Sequence, residues 1–273
     1  MHITDLTEAY IIHVLSSGDF PHYERSYPAL FEHYYKYWAK RNNTVILADE
    51  KAVKQKSKLI RKRLDFIENN FNNSGFNIAN LKIVLLVGQN TSNGHAFKDG
   101  DNYVVWLPVE TYRTLEQCDI FITHEIVHFL HYSRSPDFYF HSIKNLLLLS
   151  RKLITEGIAT YLTQQILKNT EKEALWADFL TELEINAWLE KCQIAEPQLY
   201  KFVLENFNYS SPEIELFYAN DIADIFKFRA GYFVGLKLIA QIVKELKLSM
   251  KELLKIPKTE LITKGVEIYK KVA

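Results

Sequence analysis

His124, Glu125 and His128 fall in the run Phe121-Ile-Thr-His-Glu-Ile-Val-His-Phe-Leu130. On a helix, residues four apart stack on one face, so the two imidazoles can share a single metal ion. Glu125 then lies about 100° further round and can reach a water on that ion without ligating it. Ile120, Phe121, Ile126, Val127 and Leu130 give the segment an apolar helical face. A glutamate among such neighbours is costly to bury unless a cation compensates it. The chemistry implied is metal-assisted hydrolysis, with one Zn2+ per chain as the expected cofactor. Two imidazoles and one carboxylate would leave that ion net positive charge and an open position, where the pKa of a water falls to about 7.

Catalytic zinc usually takes three protein ligands. The leading candidate for the third is Glu156, in Leu153-Ile-Thr-Glu-Gly-Ile-Ala-Thr-Tyr-Leu162. This segment also reads as helix, with Leu153, Ile158, Tyr161 and Leu162 packed and Glu156 sharing another face with Thr160. Gly157 and Ala159 are small, which would let this helix approach a neighbour closely. His131 is a weaker candidate, because it stands roughly 10 Å along the helix axis from His124. His141 and Asp137 could return from the loop that follows and stay open as alternatives.

The pair HEIVH and TEGIATY resembles the gluzincin zinc peptidases, in which HExxH on one helix is completed by a glutamate on a later one. The stretch Phe228-Arg-Ala-Gly-Tyr-Phe-Val-Gly235 is similar to a motif of a branch catalogued as predicted Zn-dependent proteases. The resemblance spans about residues 80 to 240. It implies His124, His128 and Glu156 as ligands, Glu125 as general base, and Tyr232 or Arg229 as donors to the reacting carbonyl oxygen. It also implies a zincin-like fold in which an edge strand before the HExxH helix holds extended substrate, a place that His95-Ala96-Phe97 would fill. Strand addition uses backbone hydrogen bonds that are indifferent to side chains. The interval from His128 to Glu156 is longer than in the best-known aminopeptidases of this group. The metzincin pattern is absent, since it needs Gly where His131 stands and His where Arg134 stands.

The elements that must position these residues are legible in part. Residues 5 to 72 read as three helices, the first opened by a capping box of Asp5 with Glu8 and closed by Gly18 and Pro21. In the third, Val53, Ile60, Leu64, Ile67 and Phe71 form a core stripe. Leu81 to Val87 is a β-branched run expected as a buried strand. Gly94 to Lys98 and Tyr103 to Leu107 flank Asp99-Gly100 and predict a hairpin. From Thr111 onward the chain reads as helical, with Ile225 to Leu246 as one long helix. The expected class is α+β and predominantly helical: a small mixed sheet, an edge strand beside the HExxH helix, and a helical C-terminal lobe. The expected divisions are residues 1–75, a helical region; 76–135, an α/β sublobe with the HExxH helix; and 136–273, a helical sublobe carrying the third ligand.

With 33 basic and 33 acidic residues, the 273-residue chain has no global field to recruit nucleic acid or an anionic membrane. Lys51, Lys54, Lys56, Lys58, Arg61, Lys62 and Arg63 could grip phosphates, but no glycine loop or interleaved aromatics accompany them. They read instead as a solvated face offset by acidic neighbours. Met1 to Asp19 lacks the pattern of a signal peptide, and no apolar run is long enough to span a bilayer. Two cysteines, Cys118 and Cys192, do not make a disulfide framework. Cytoplasm is the expected compartment, with specialised export left open. The expected partner is a peptide or protein substrate, the oligomeric state being undetermined. A competing expectation is a peptidase-like domain that captures extended segments and cuts them slowly or not at all. Asp119, Asp221 and Asp224 are candidates to orient the ligating imidazoles, although each also suits a surface or capping role.

Overall fold

The structure is a computed structural model that describes residues 1–175 and 180–272. It is mostly helical with one small mixed sheet. By its contacts the chain divides into two compact units, Met1–Phe129 and Leu130–Ala273.

The first unit holds the sheet. Its strands are β1 (His2–Asp5), β2 (Lys82–Leu86), β3 (His95–Asp99) and β4 (Asn102–Pro108), in the order β1-β2-β4-β3. β1, β2 and β4 run parallel, and β3 returns antiparallel to β4 through a two-residue turn at Gly100 and Asp101. Gly100 has φ +61°, the left-handed backbone such hairpin turns require. β3 is an edge, as expected, and pairs His95 with Trp106 and Phe97 with Val104.

Helices of ten or more residues are numbered here in chain order. In the first unit these are α1 (Pro28–Tyr37), α2 (Glu50–Asn73) and α3 (Leu115–Arg134). Asp49 caps α2 by accepting the Lys51 N–H, and Val53, Ile60, Leu64, Ile67 and Phe71 are buried as the predicted stripe. Residues 5 to 72 differ from the expectation at their start. His2–Asp5 pairs with β2, and the Asp5 carboxylate caps no helix through Glu8. It accepts instead from the Thr7 N–H and hydroxyl, the Ser57 hydroxyl and the Arg61 guanidinium. Helical segments follow at Thr7–Leu15, partly as π-helix, and at Phe20–Arg25, so four segments stand where three are predicted.

The second unit is helical: α4 (Leu149–Leu167), α5 (Glu182–Ile194), α6 (Glu196–Asn206), α7 (Ala230–Leu246) and α8 (Lys258–Val272). α4 and α7 meet backbone to backbone at Gly157 and Gly235. A Cβ on Gly157 would overlap the Gly235 carbonyl, and one on Gly235 would stand 2.8 Å from the Leu153 oxygen. The close approach foreseen for Gly157 is therefore made to α7. The long helix predicted from Ile225 is broken: Ile225–Lys227 is a 3-10 turn, and Arg229, at φ 55°, re-aims the chain into α7. Among the described residues no helix is long and apolar enough to cross a membrane.

Candidate metal centre

α3 starts where Thr114 accepts the Gln117 N–H through its hydroxyl while the Gln117 side chain accepts the Arg113 N–H. Pro136 follows its end. Arg63 on α2 fixes the helix by a two-pronged ion pair with Asp119, both contacts 2.7 Å. Asp119 is thereby committed to α2. Asp221 and Asp224 accept the Ala223 and Phe226 N–H groups, as local turn and capping residues do.

α3 is continuous through the division at Phe129 and Leu130, so its last turns belong to the second unit. There it is tied to α4: Arg151, buried, donates from Nη2 to the Tyr132 hydroxyl at 3.1 Å and from Nε to the Phe138 carbonyl at 2.7 Å. His124 and His128 stand on the preceding turns of the same helix. Their Nε2 atoms are 3.1 Å apart. One ligand atom from each of His124, His128 and Glu156 lies within 4.8 Å of the other two. Among the described residues this is the one such group of three or more histidine, cysteine or acidic side chains.

Ligand atoms at zinc distances in a tetrahedron are about 3.3 Å apart, so the imidazole spacing is that of two ligands on one ion. Two nitrogens and one carboxylate oxygen are also the donor set of a catalytic zinc site with an open position. The residues fit the ion. His131 is buried elsewhere, its ring against those of Phe138 and Tyr132 at 4.6 and 5.9 Å. His141 and Asp137 are exposed.

Glu125 is 5% exposed. It packs on a segment absent from the sequence reading of the site, Ser92-Asn93-Gly94. A Cβ on Gly94 would stand 3.0 Å from the Glu125 Cγ and 3.1 Å from the Trp106 carbonyl oxygen, and Gly94 has φ +144°, so glycine is required there twice over. The segment is pinned by the Thr111 hydroxyl, which donates to the Ser92 carbonyl at 3.0 Å, and by the Tyr112 hydroxyl, which donates to that of Asn93. Burial, with the charge of Glu125 adding to it, raises the Tyr112 phenol well above its ordinary value. The signal in the sequence was Gly94 itself, a glycine directly before a strand.

His95, Ala96 and Phe97 are all buried, with the His95 ring stacked on His33 of α1 at 5.5 Å. Their exposure, 6%, 0% and 1% for the whole residue, covers the backbone along with the side chains. Tyr232 and Arg229 stand together at the start of α7. The guanidinium lies over the Tyr232 ring at 4.2 Å, and that ring meets Phe217 edge-on at 5.3 Å. Of the seven basic residues on α2, Lys54 pairs with Glu50, Arg61 with Asp5 and Arg63 with Asp119, while Lys56 donates to the Tyr112 carbonyl.

A family model described as "Predicted Zn-dependent protease (DUF2268)" matches residues 50–263, well over half of the chain. No curated protein matches the chain, and neither does any solved structure.

Proposed function

Because the chain belongs to this family of predicted Zn-dependent proteases, we propose that it is a zinc peptidase of gluzincin type whose ion is held by His124, His128 and Glu156. The observation that carries the reading is the convergence of those three side chains from two helices. When bound there, zinc supplies a Lewis acid that makes a water acidic at neutral pH and polarises a carbonyl.

The chain's own residues do the rest. Glu125 accepts the proton of the attacking water on its carboxylate and passes it to the nitrogen of the departing amine. Its burial supports this role, because a carboxylate shielded from bulk water keeps the proton it takes. The Tyr232 hydroxyl or the Arg229 guanidinium donates to the carbonyl oxygen as negative charge develops there. Tyr232 is three residues before Gly235, the residue of α7 that touches α4 beside Glu156.

The test is cleavage of a mixed peptide library by zinc-loaded protein, with chelation and Glu125→Gln as arms. Chelation is expected to abolish cleavage. Glu125→Gln should keep its metal and lose about 10²- to 10⁴-fold in rate. Undiminished cleavage by Glu125→Gln removes it as the base. Peptide capture without cleavage by the intact protein would favour a binding role.

A further inference from the structure

Lys152 lies on α4 four residues before Glu156, so the two side chains share a face of the helix. It is half-buried, and burial pulls its ammonium down to about 8, with the charge of Glu156 acting in the opposite sense. Among the described residues no acidic side chain forms an ion pair with its Nζ and no acceptor takes a hydrogen bond from it. Its close neighbours are two aromatic rings, Tyr218 at 4.7 Å and Phe217 at 5.4 Å from Nζ. Phe217 is the same ring that meets Tyr232.

Ring faces attract a cation but cannot satisfy three N–H donors. The adjacent cation, Arg151, differs in this respect, because it is spent on Tyr132 and Phe138. A desolvated ammonium is costly to keep unless an anion arrives to meet it. Glu156 cannot serve fully if its charge is given to a metal ion. A half-buried cation with no ion-pair partner among the described residues, one helical turn from a candidate metal ligand, suits an anionic group on a substrate.

We propose that Lys152 anchors a substrate carboxylate, either the free C-terminus of a peptide or an acidic side chain next to the scissile bond. The Tyr218 and Phe217 rings would flank that group and keep it dry, so the contact would discriminate strongly against a neutral substrate. This inference rests on the peptidase reading for its meaning but can be measured apart from it.

The probe is one peptide in three forms: with a free C-terminal carboxylate, with a C-terminal amide, and as the amide with one internal glutamate. Calorimetry on the zinc-loaded Glu125→Gln protein should show at least one carboxylate form binding tenfold or more tightly than the neutral amide. Which form does so identifies the source of the carboxylate. Adding Lys152→Met should bring the forms within about twofold while leaving the neutral peptide's affinity and the zinc content unchanged. Lys152→Gln, one atom shorter but still polar and without the charge, carries the test where the methionine variant fails to fold.

Persistence of the preference without Lys152 overturns the anchor, as does equal weakening of all three peptides or loss of zinc, either of which would make Lys152 a support for Glu156. Equal binding and cleavage of all forms by protein with Lys152 intact overturns the anchor and leaves the peptidase reading standing. Carboxylate-selective binding with no cleavage by the wild-type protein does the reverse.

Discussion

Glu125 and Glu156 are two acids set beside glycines in opposite ways. Glu125 is pressed by a turned loop: Gly94 leaves no room for a Cβ at its Cγ, and Tyr112 and Thr111 hold the neighbouring carbonyls. Glu156 stands on α4. Its helix is located by a glycine contact one residue further on, where Gly157 meets Gly235 of α7. The first glycine crowds the side chain of its glutamate, while the second fixes the backbone of the helix that carries the other. The difference suits a base that must point at one atom and a ligand that must arrive at one distance.

That contrast predicts separable failures. The first should come from Gly157→Ala. The added Cβ has nowhere to go against the Gly235 backbone, so α4 and α7 must part, at a cost of about 1–3 kcal/mol. Thermal unfolding should show the loss, and zinc affinity should fall with it because Glu156 is displaced. Gly265→Ala in α8 is the control. There a Cβ meets nothing nearer than the Phe207 Cζ at 3.4 Å, and helix propensity favours alanine by about 1 kcal/mol. Unchanged zinc affinity in Gly157→Ala would detach Glu156 from the glycine contact.

A differently shaped effect of similar size is expected from Gly94→Ala. Backbone strain at φ +144° and crowding of Glu125 should together cost about 1–3 kcal/mol of stability. Zinc content should hold while kcat falls, the inverse of the Gly157 pattern. A Gly94→Ala protein that loses its zinc and keeps the kcat of its loaded fraction would erase the distinction between the two acids.

Much of this was legible in the residues because it is local. The Asp99-Gly100 signal produces its hairpin, the α2 stripe is buried where its period puts it, and HExxH rides a helix begun by Thr114 and Gln117. What escaped was made by partners distant in the chain. β1 has four residues with no buried alternation and becomes a strand only by pairing with β2, some eighty residues later. Asp5 resembled a cap but answers to Ser57 and Arg61. The break at Arg229 carries neither proline nor glycine at the turning residue, so helical periodicity read straight through it. For the same reason Gly94 passed as the start of a strand when its constraint lies thirty-one positions on, at Glu125.

The central claim is joint ligation of one ion by His124, His128 and Glu156. The most direct measurement is elemental zinc analysis of purified wild-type protein beside Glu156→Ala, each dialysed against the same metal buffer. About one zinc per chain in the wild type and a marked loss in the variant are expected from the three-ligand rule. Full retention of zinc by Glu156→Ala would contradict the account.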